Sequence, residues 1–323
     1  MANQAKFPIR ALCRTLRVSS SGYHAWLARS PSKRTQQNAA LIERIRTIHQ
    51  RSQSSYGEPR IRAKLQDQGL IVNHKRIARL MRQAGLHGIS RMRGYVVTTN
   101  RDQTHQAAPD LVKRHFLANA PNQLWVADMT YIPTWAGFIY LAIVLDVWSR
   151  RIVGWAIDNT MQAELVVAAL NMAIEQRNPE QVVNHSDHGS QYTSLAFGQR
   201  CQKMGVKFSM GTVGDAYNNA MAESFFASLE CELIAQHSWK TKFDARLAVF
   251  RWIEAWYNPH RRHSAIGYQS PIHFERSSID KIFISERELP TAGLCVACAT
   301  PTVDNSGYHE PYPAFFLKRI AVH

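Results

Sequence analysis

The order of hydrophobic periodicities between residues 122 and 235 constrains this chain more than any other feature. Residues 124–132, 138–147 and 152–157 are three strand-like runs in succession, the first two separated by a turn around residues 135–137. They are followed by a helical pattern at 162–176, a short strand at 182–185, a helix at 194–204, a strand at 207–210 and a long helix over about 218–235. Three meandering strands and then alternating helices and strands predict an α/β core. Its sheet is mixed, three antiparallel strands and then parallel ones, with helices on the faces.

Upstream the chain reads as all-α and basic. Residues 1–114 hold 22 of the 39 Lys and Arg and only 5 of the 24 Asp and Glu, so the whole excess behind the net charge of +15 lies in the first third. Residues 7–16 are apolar-periodic, and Ser19, Ser20 and Ser21 offer N-caps for a helix through Tyr23 and Trp26. Two short helices about a tight turn make a helix-turn-helix pattern. After a longer helix at 38–49 comes a second pair: 59–68, stopped by Gly69, and a helix capped by Asn73 and ended by Gly85. On that last helix Ile77, Leu80, Met81 and Ala84 form the apolar stripe, and Lys75, Arg79 and Arg82 fall on the solvent side, with Arg76 among them. A basic outer face on the second helix of a pair is what contact with DNA phosphates and groove edges requires. A solvated face that serves only solubility is the alternative. Residues 91–120, beginning with Arg91 and Arg93, lose the periodicity and read as a linker.

The composition, 45% hydrophobic and 20% charged, is that of a globular protein. The longest apolar run, near 138–145, falls well short of the roughly 20 residues a membrane span needs. No charged segment followed by an apolar one opens the chain, so no secretory signal is expected. Five scattered cysteines, an odd number, suit a reducing cytoplasm better than a disulfide framework. Together these place the protein in the cytoplasm, with no membrane partner.

Three acidic residues stand out by position. Asp128 lies inside the apolar run LWVADMTYI, where an unpaired carboxylate is costly to bury. Asp187 follows the short strand at 182–185, and Glu223 lies in the first turns of the long helix, away from its stripe of Met221, Phe225, Leu229 and Leu233. Taken singly, Asp128 reads rather as a satisfied buried carboxylate, Asp187 as a turn residue and Glu223 as a surface charge near a helix N-terminus. Converging on one spot they would repel, by about 4 kcal/mol for two charges 4 Å apart at an effective dielectric of ~20. Such a cluster requires protonation or a bridging cation, and hard oxygen ligands favour Mg²⁺ or Mn²⁺ over zinc. Two ions so held can align the attacking and leaving oxygens of a phosphodiester. Among the other acids, Glu230 is too far along the helix from Glu223 to share an ion, and Asp146 is expected to partner a nearby Arg.

Four stretches carry a specific resemblance: WVADMTYIPTWAGFIYLAIVLDVWSRRIVGWAI (125–157), HSDHGSQYTS (185–194), GDAYNNAMAESFFASLECEL (214–233) and YNPHRRHSAIGYQSPIHFE (257–275). They resemble the OrfB products of bacterial insertion sequences, in the large family named after insertion sequence three, whose core is similar to retroviral integrases. The 35 residues between Asp187 and Glu223 match the D-35-E spacing of that group. Two basic segments, LCRTLRVSSSGYHAWLAR and RIRAKLQDQGLIVNHKRIARLMRQAGL, extend the likeness over residues 1–275.

The resemblance implies an RNase H-like core in which Asp128, Asp187 and Glu223 form a DDE triad holding Mg²⁺, as two ions in the family pattern, with Mn²⁺ as a substitute. It implies DNA strand cleavage by water at terminal inverted repeats, then attack of the freed 3′-OH on target DNA, by way of a circularised element. It further implies a homo-oligomer on the bacterial nucleoid, and an OrfA partner or an OrfA–OrfB frameshift fusion. On this reading residues 1–33 are a first helix-turn-helix, 34–95 a second basic one, 96–118 a linker, 119–280 the catalytic core with its C-terminal helices, and 281–323 a tail of unknown role. Arg261 and Arg262, with Tyr257, join the expected DNA contacts, a surface patch being the alternative.

The departures are few. Asn218 precedes Asn219 where the family has an acidic residue, and His188 stands where it often has Arg. The tail has no counterpart, and Cys295 and Cys298 lack the second pair or histidines that a zinc site needs. A zinc reading of His185 and His188 would leave Asp128 and Glu223 unexplained. His185 is therefore expected to support its loop and His188 to reach toward DNA, with Asn219 as a further supporting residue. Two other readings remain: a DNA-binding regulatory protein with an inactive core, and a metal-dependent nuclease that does not join strands.

Overall fold

The computed structural model describes residues 7–89, 110–112, 116–187, 191–210 and 220–287. Contacts divide the chain into a unit Met1–Asp280 and a second, Lys281–His323; every element below belongs to the first except the end of the last helix.

Five helices come first. α1 (Ile9–Thr15) and α2 (Ser20–Ala28) flank a tight turn with Arg17 at φ 53°, and the Ser19 side chain accepts from the Gly22 N–H. This pair buries little: only Cys13 is buried, while Leu16, Val18, Trp26 and Leu27 are exposed. α3 (Lys33–Arg51) is longer than its apolar pattern indicates because Ser32, accepting from the Thr35 N–H, caps it a turn and a half earlier. α4 (Glu58–Asp67) and α5 (His74–Gln83) complete the region; Asn73 caps α5, and Gly69 and Gly85 take the positive φ that ends each helix. Ile45, Ile61, Leu65, Ile77 and Leu80 form their shared core.

The sheet runs β3-β2-β1-β4-β5, with β1 (Leu124–Thr134), β2 (Gly137–Asp146) and β3 (Ile152–Asp158) antiparallel, β4 (Val182–Ser186) parallel to β1, and β5 (Val206–Met210) parallel to β4. β2 is apolar at nearly every position because both of its faces are covered. Ile139, Leu141, Ile143 and Leu145 look to one side, Ala142 and Val144 to the other.

On the second side lie α6 (Ala163–Arg177) and α7 (Leu195–Lys203). Gly154 lets α6 approach β3: a Cβ there would sit 2.2 Å from the Ala169 carbonyl oxygen. On the first side lie α8 (Ala220–Glu232) and α9 (Lys242–Phe250), which continues through a π-helical segment, Arg251–Tyr257, into α10 (Asn258–His260). The widened turn precedes Pro259, which cannot donate to the helical ladder. α11 (Pro271–Arg287) ends the described chain.

Two expectations change here. Val112 is buried and Phe116 packs beside it in the core, so the end of the stretch read as a linker belongs to the folded unit. Asp146 is buried as expected of a structural residue, but its carboxylate accepts hydrogen bonds from the Asn122 N–H (2.7 Å), the Ser149 N–H (2.9 Å) and the Ser149 hydroxyl (3.1 Å), and the nearby arginine, Arg177, acts on it through charge alone. The neighbouring Arg151 and Arg177 go instead to Glu275.

Candidate active site and nucleic-acid interface

In the parallel pairing of β1 with β4, Leu124 is level with Val183, Trp125 with Asn184, Val126 with His185 and Ala127 with Ser186. The next residue in each segment is an aspartate: Asp128 within β1, and Asp187 just past the end of β4. Strand alternation sends Asp128 to the same face as Val126, which is the face α8 covers through Ala222, Phe225 and Leu229. Glu223 lies in the first turn of α8. All three carboxylates are half-buried, and the Met129 N–H donates to Asp128 Oδ1 at 2.7 Å.

Tyr192 ties the two aspartates together electrostatically. Its ring is buried edge-on to Phe197, and burial, followed by the charges of Asp128 and Asp187, pushes its phenol well above the ordinary value. One buried hydroxyl thus feels both carboxylates. Two such carboxylates repel, and hard oxygens at a half-open strand end suit a Mg²⁺-type ion, which takes one or two carboxylates and completes its shell with phosphate and water. Among the described residues no three His, Cys, Asp or Glu side chains gather as a metal-holding group.

The histidines differ from the acids. His185 is wholly buried, its Nδ1 3.0 Å from Ser209 Oγ and its ring edge-on to Phe116. His188, Asn218, Asn219, Arg91, Arg93, Cys295 and Cys298 lie outside the described residues.

Of the basic residues on α5, Lys75, Arg79 and Arg82 are exposed, opposite the buried Ile77, Leu80 and Met81. Arg76 is half-buried and donates from Nε and Nη2 to Asn38 Oδ1 at 3.1 and 2.8 Å, which joins α5 to α3. The second expected basic cluster is internal. Arg261 is 4% exposed, and its guanidinium donates to both oxygens of Glu232 and to Ser228. Burial lowers its pKa, but the hydrogen bonds and charge of Glu232 outweigh that and raise it. Arg262 reaches the Tyr268 carbonyl at 2.7 Å and the Asp67 carboxylate. Tyr257 is core, donating its hydroxyl to the Arg150 carbonyl. These residues fasten the end of the core to the helical region, where Tyr56 accepts from the Arg262 N–H and donates to the His260 carbonyl. Arg261 is buried and so is not part of a surface patch, and a DNA phosphate would have to displace Glu232 to take up its donors.

Sequence reasoning missed Glu232, Arg60 and Arg150. Glu232 sits one residue off the apolar stripe of α8, which was its only local signal; its partners lie 29 residues later, at Arg261, and 172 earlier, at Arg60.

Comparison with known proteins adds the context. The integrase core domain family matches residues 118–216 and again 204–271, and an HTH-like domain family matches 36–94. The chain is 37% identical over 277 residues to the transposase for insertion sequence element IS629 of Shigella sonnei, covering 84% of this chain and 93% of that one. It is 36% identical over 280 residues to the transposase InsF for insertion sequence IS3A of Escherichia coli, covering 86% and 97%. Among solved structures, the catalytic core domain of BIV integrase is 18% identical and covers 50% of this chain and 99% of that one, with a TM-score of 0.37.

Proposed function

This chain belongs to the insertion-sequence transposases that carry an integrase core, and we propose that it cuts and joins DNA at the terminal inverted repeats of its element, with Asp128, Asp187 and Glu223 as the catalytic carboxylates. The observation that supports the reading is the parallel register of β1 and β4, whose last pair, Ala127 with Ser186, directly precedes Asp128 and Asp187.

The two aspartates hold the divalent site at the strand ends, and Glu223 is its third carboxylate. Mg²⁺, or Mn²⁺ in its place, would be held by these carboxylates and would supply charge neutralisation and polarisation of the phosphodiester. In the first step water attacks the scissile phosphorus and the bond to the 3′ oxygen breaks, leaving a 3′-OH and a 5′-phosphate. In the second the 3′-OH loses its proton, attacks a phosphorus of the target and displaces that strand's 3′ oxygen. One phosphodiester is exchanged for another, so no outside energy source is needed, and no protein nucleophile takes part.

The exposed Lys75, Arg79 and Arg82 on the outer face of α5 contact DNA, and Arg91 and Arg93 continue that contact along the chain. The working form is a homo-oligomer on DNA, alone or with an OrfA partner or as an OrfA–OrfB fusion.

The test uses the purified chain, and an OrfA–OrfB fusion in parallel, with a labelled terminal-repeat duplex and Mg²⁺. Cutting followed by joining, both lost in Asp187→Asn, is the expected result. Binding without either step would make the protein a DNA-binding regulator, and cutting without joining a nuclease.

A further inference from the structure

We propose that a cavity between α8, the β2–β3 turn and the helical region is the seat of one backbone phosphate of the bound DNA, with Arg150 as the cation that meets it. The proposal rests on the reading above in taking DNA as the ligand.

The cavity measures about 260 Å³. One wall is a stripe of α8, Ser224, Ala227, Ser228 and Cys231, at helical spacing i, i+3, i+4, i+7 and beginning at the residue after Glu223. The whole stripe lies within about 12 Å of Glu223 along the helix axis. Arg60 of α4 and Arg150 of the β2–β3 turn supply the other sides, with Arg261 and His263.

The charges do not balance. Three guanidinium groups line the cavity against a single carboxylate, Glu232. Arg261 holds that carboxylate at 2.7 Å, and Arg60 shares the same oxygen at 3.5 Å. Arg150 has no carboxylate within ion-pair reach among the described residues. Burial lowers its pKa, against a smaller raising effect of Tyr257. Its backbone is at φ 63°, a left-handed conformation uncommon outside glycine. His263 does not add a charge, because burial and then the three arginines hold it well below its ordinary pKa.

A half-buried cation without a counter-ion is costly, and the cavity's missing component is an anion. Its volume is below the roughly 300–1,000 Å³ of pockets for free small molecules, which argues for one group of a larger ligand. A guanidinium fork matches phosphate oxygens in geometry and charge. In an enzyme acting on DNA, a phosphodiester held beside the helix that bears Glu223 would dock the strand and join the helical region to the core across it.

The test is made in the full chain carrying Asp187→Asn, so that cleavage plays no part. Affinity for a terminal-repeat duplex is measured by fluorescence anisotropy across a NaCl series, for Arg150 and for the further substitutions Arg150→Ala and Arg150→Lys. Arg150→Ala should weaken binding about 10-fold and reduce the slope of log K against log salt by about one, while Arg150→Lys keeps the slope. In phosphate-free buffer the Tm of Arg150→Ala should equal or exceed that of the parent, and the rise in Tm that inorganic phosphate gives the parent should be absent. Unchanged affinity and slope would overturn the proposal. A phosphate effect on Tm without any change in DNA binding would also overturn it, making the seat one for a free anion. So would a loss of affinity accompanied by a fallen Tm in phosphate-free buffer, which would mark Arg150 as a folding residue. The seat can fail while the catalytic reading stands, because the carboxylate variants are tested separately for cutting.

Discussion

Arg261 and Glu232, 29 residues apart in sequence, form a buried ion pair in which Arg261 Nε donates to both carboxylate oxygens at 3.0 and 2.9 Å and Nη2 donates to Oε1 at 2.7 Å. Removing one partner strands the other's charge in the interior. Glu232→Ala is expected to cost about 3–5 kcal/mol of unfolding free energy, measured by urea denaturation of the full chain. A joint replacement of both residues by apolar ones of similar volume should recover much of that loss. If Glu232→Ala changes the midpoint no more than a surface substitution does, the pair does not hold the core to its last helices.

His263 gives the fold a pH dependence of definite sign. Burial and the charges of Arg261, Arg60 and Arg150 depress its pKa in the folded chain, while the unfolded chain titrates near 6.5. Below that pH the unfolded state binds the proton and the folded state does not, so stability falls as pH falls. The loss from this one group approaches about 1.4 kcal/mol per pH unit below 6. Tm measured from pH 7.5 to 5 should decline less steeply in His263→Gln, and equal slopes would show that the ring protonates in place.

The two kinds of arginine on α5 should separate in a binding assay. Arg79→Ala removes an exposed charge and is expected to weaken DNA binding and flatten its salt dependence by about one counterion, with Tm unchanged. Arg76→Ala breaks the bonds to Asn38 and should lower Tm by a few degrees, a loss of about 1–2 kcal/mol. Anisotropy and thermal unfolding on the same samples distinguish them.

Local patterns made the elements legible. The five strands and the principal helices lie within a few residues of the periodicities that predict them, because alternation, apolar stripes and caps such as Asn73 act over one or two turns. Asp128 stood out for the same reason, as a carboxylate inside the apolar run LWVADMTYI, whereas Asp187 taken singly reads as a turn residue. Long-range pairing was not legible. Glu232 reads as one acid in a helix until Arg261 closes on it, and Arg261-Arg262 reads as a basic patch until Glu232, Asp67 and Tyr268 take up its donors. Asp146 was placed with an arginine because charge is visible in sequence, whereas its actual partners are mainly main-chain N–H groups, which are not. The unbalanced charge around Arg150 exists only once three separate segments meet.

The central claim is that Asp128 and Asp187, the residues that follow the last β1–β4 pair, act as one unit. Single-turnover cleavage of a terminal-repeat duplex by the parent chain, Asp128→Asn, Asp187→Asn and the double variant tests it directly, with anisotropy confirming that each binds DNA. Each single substitution should lower the rate by about 10³-fold or more, and the double should be no slower than the worse single. A single variant within about tenfold of the parent, or two losses that multiply in the double, would contradict it.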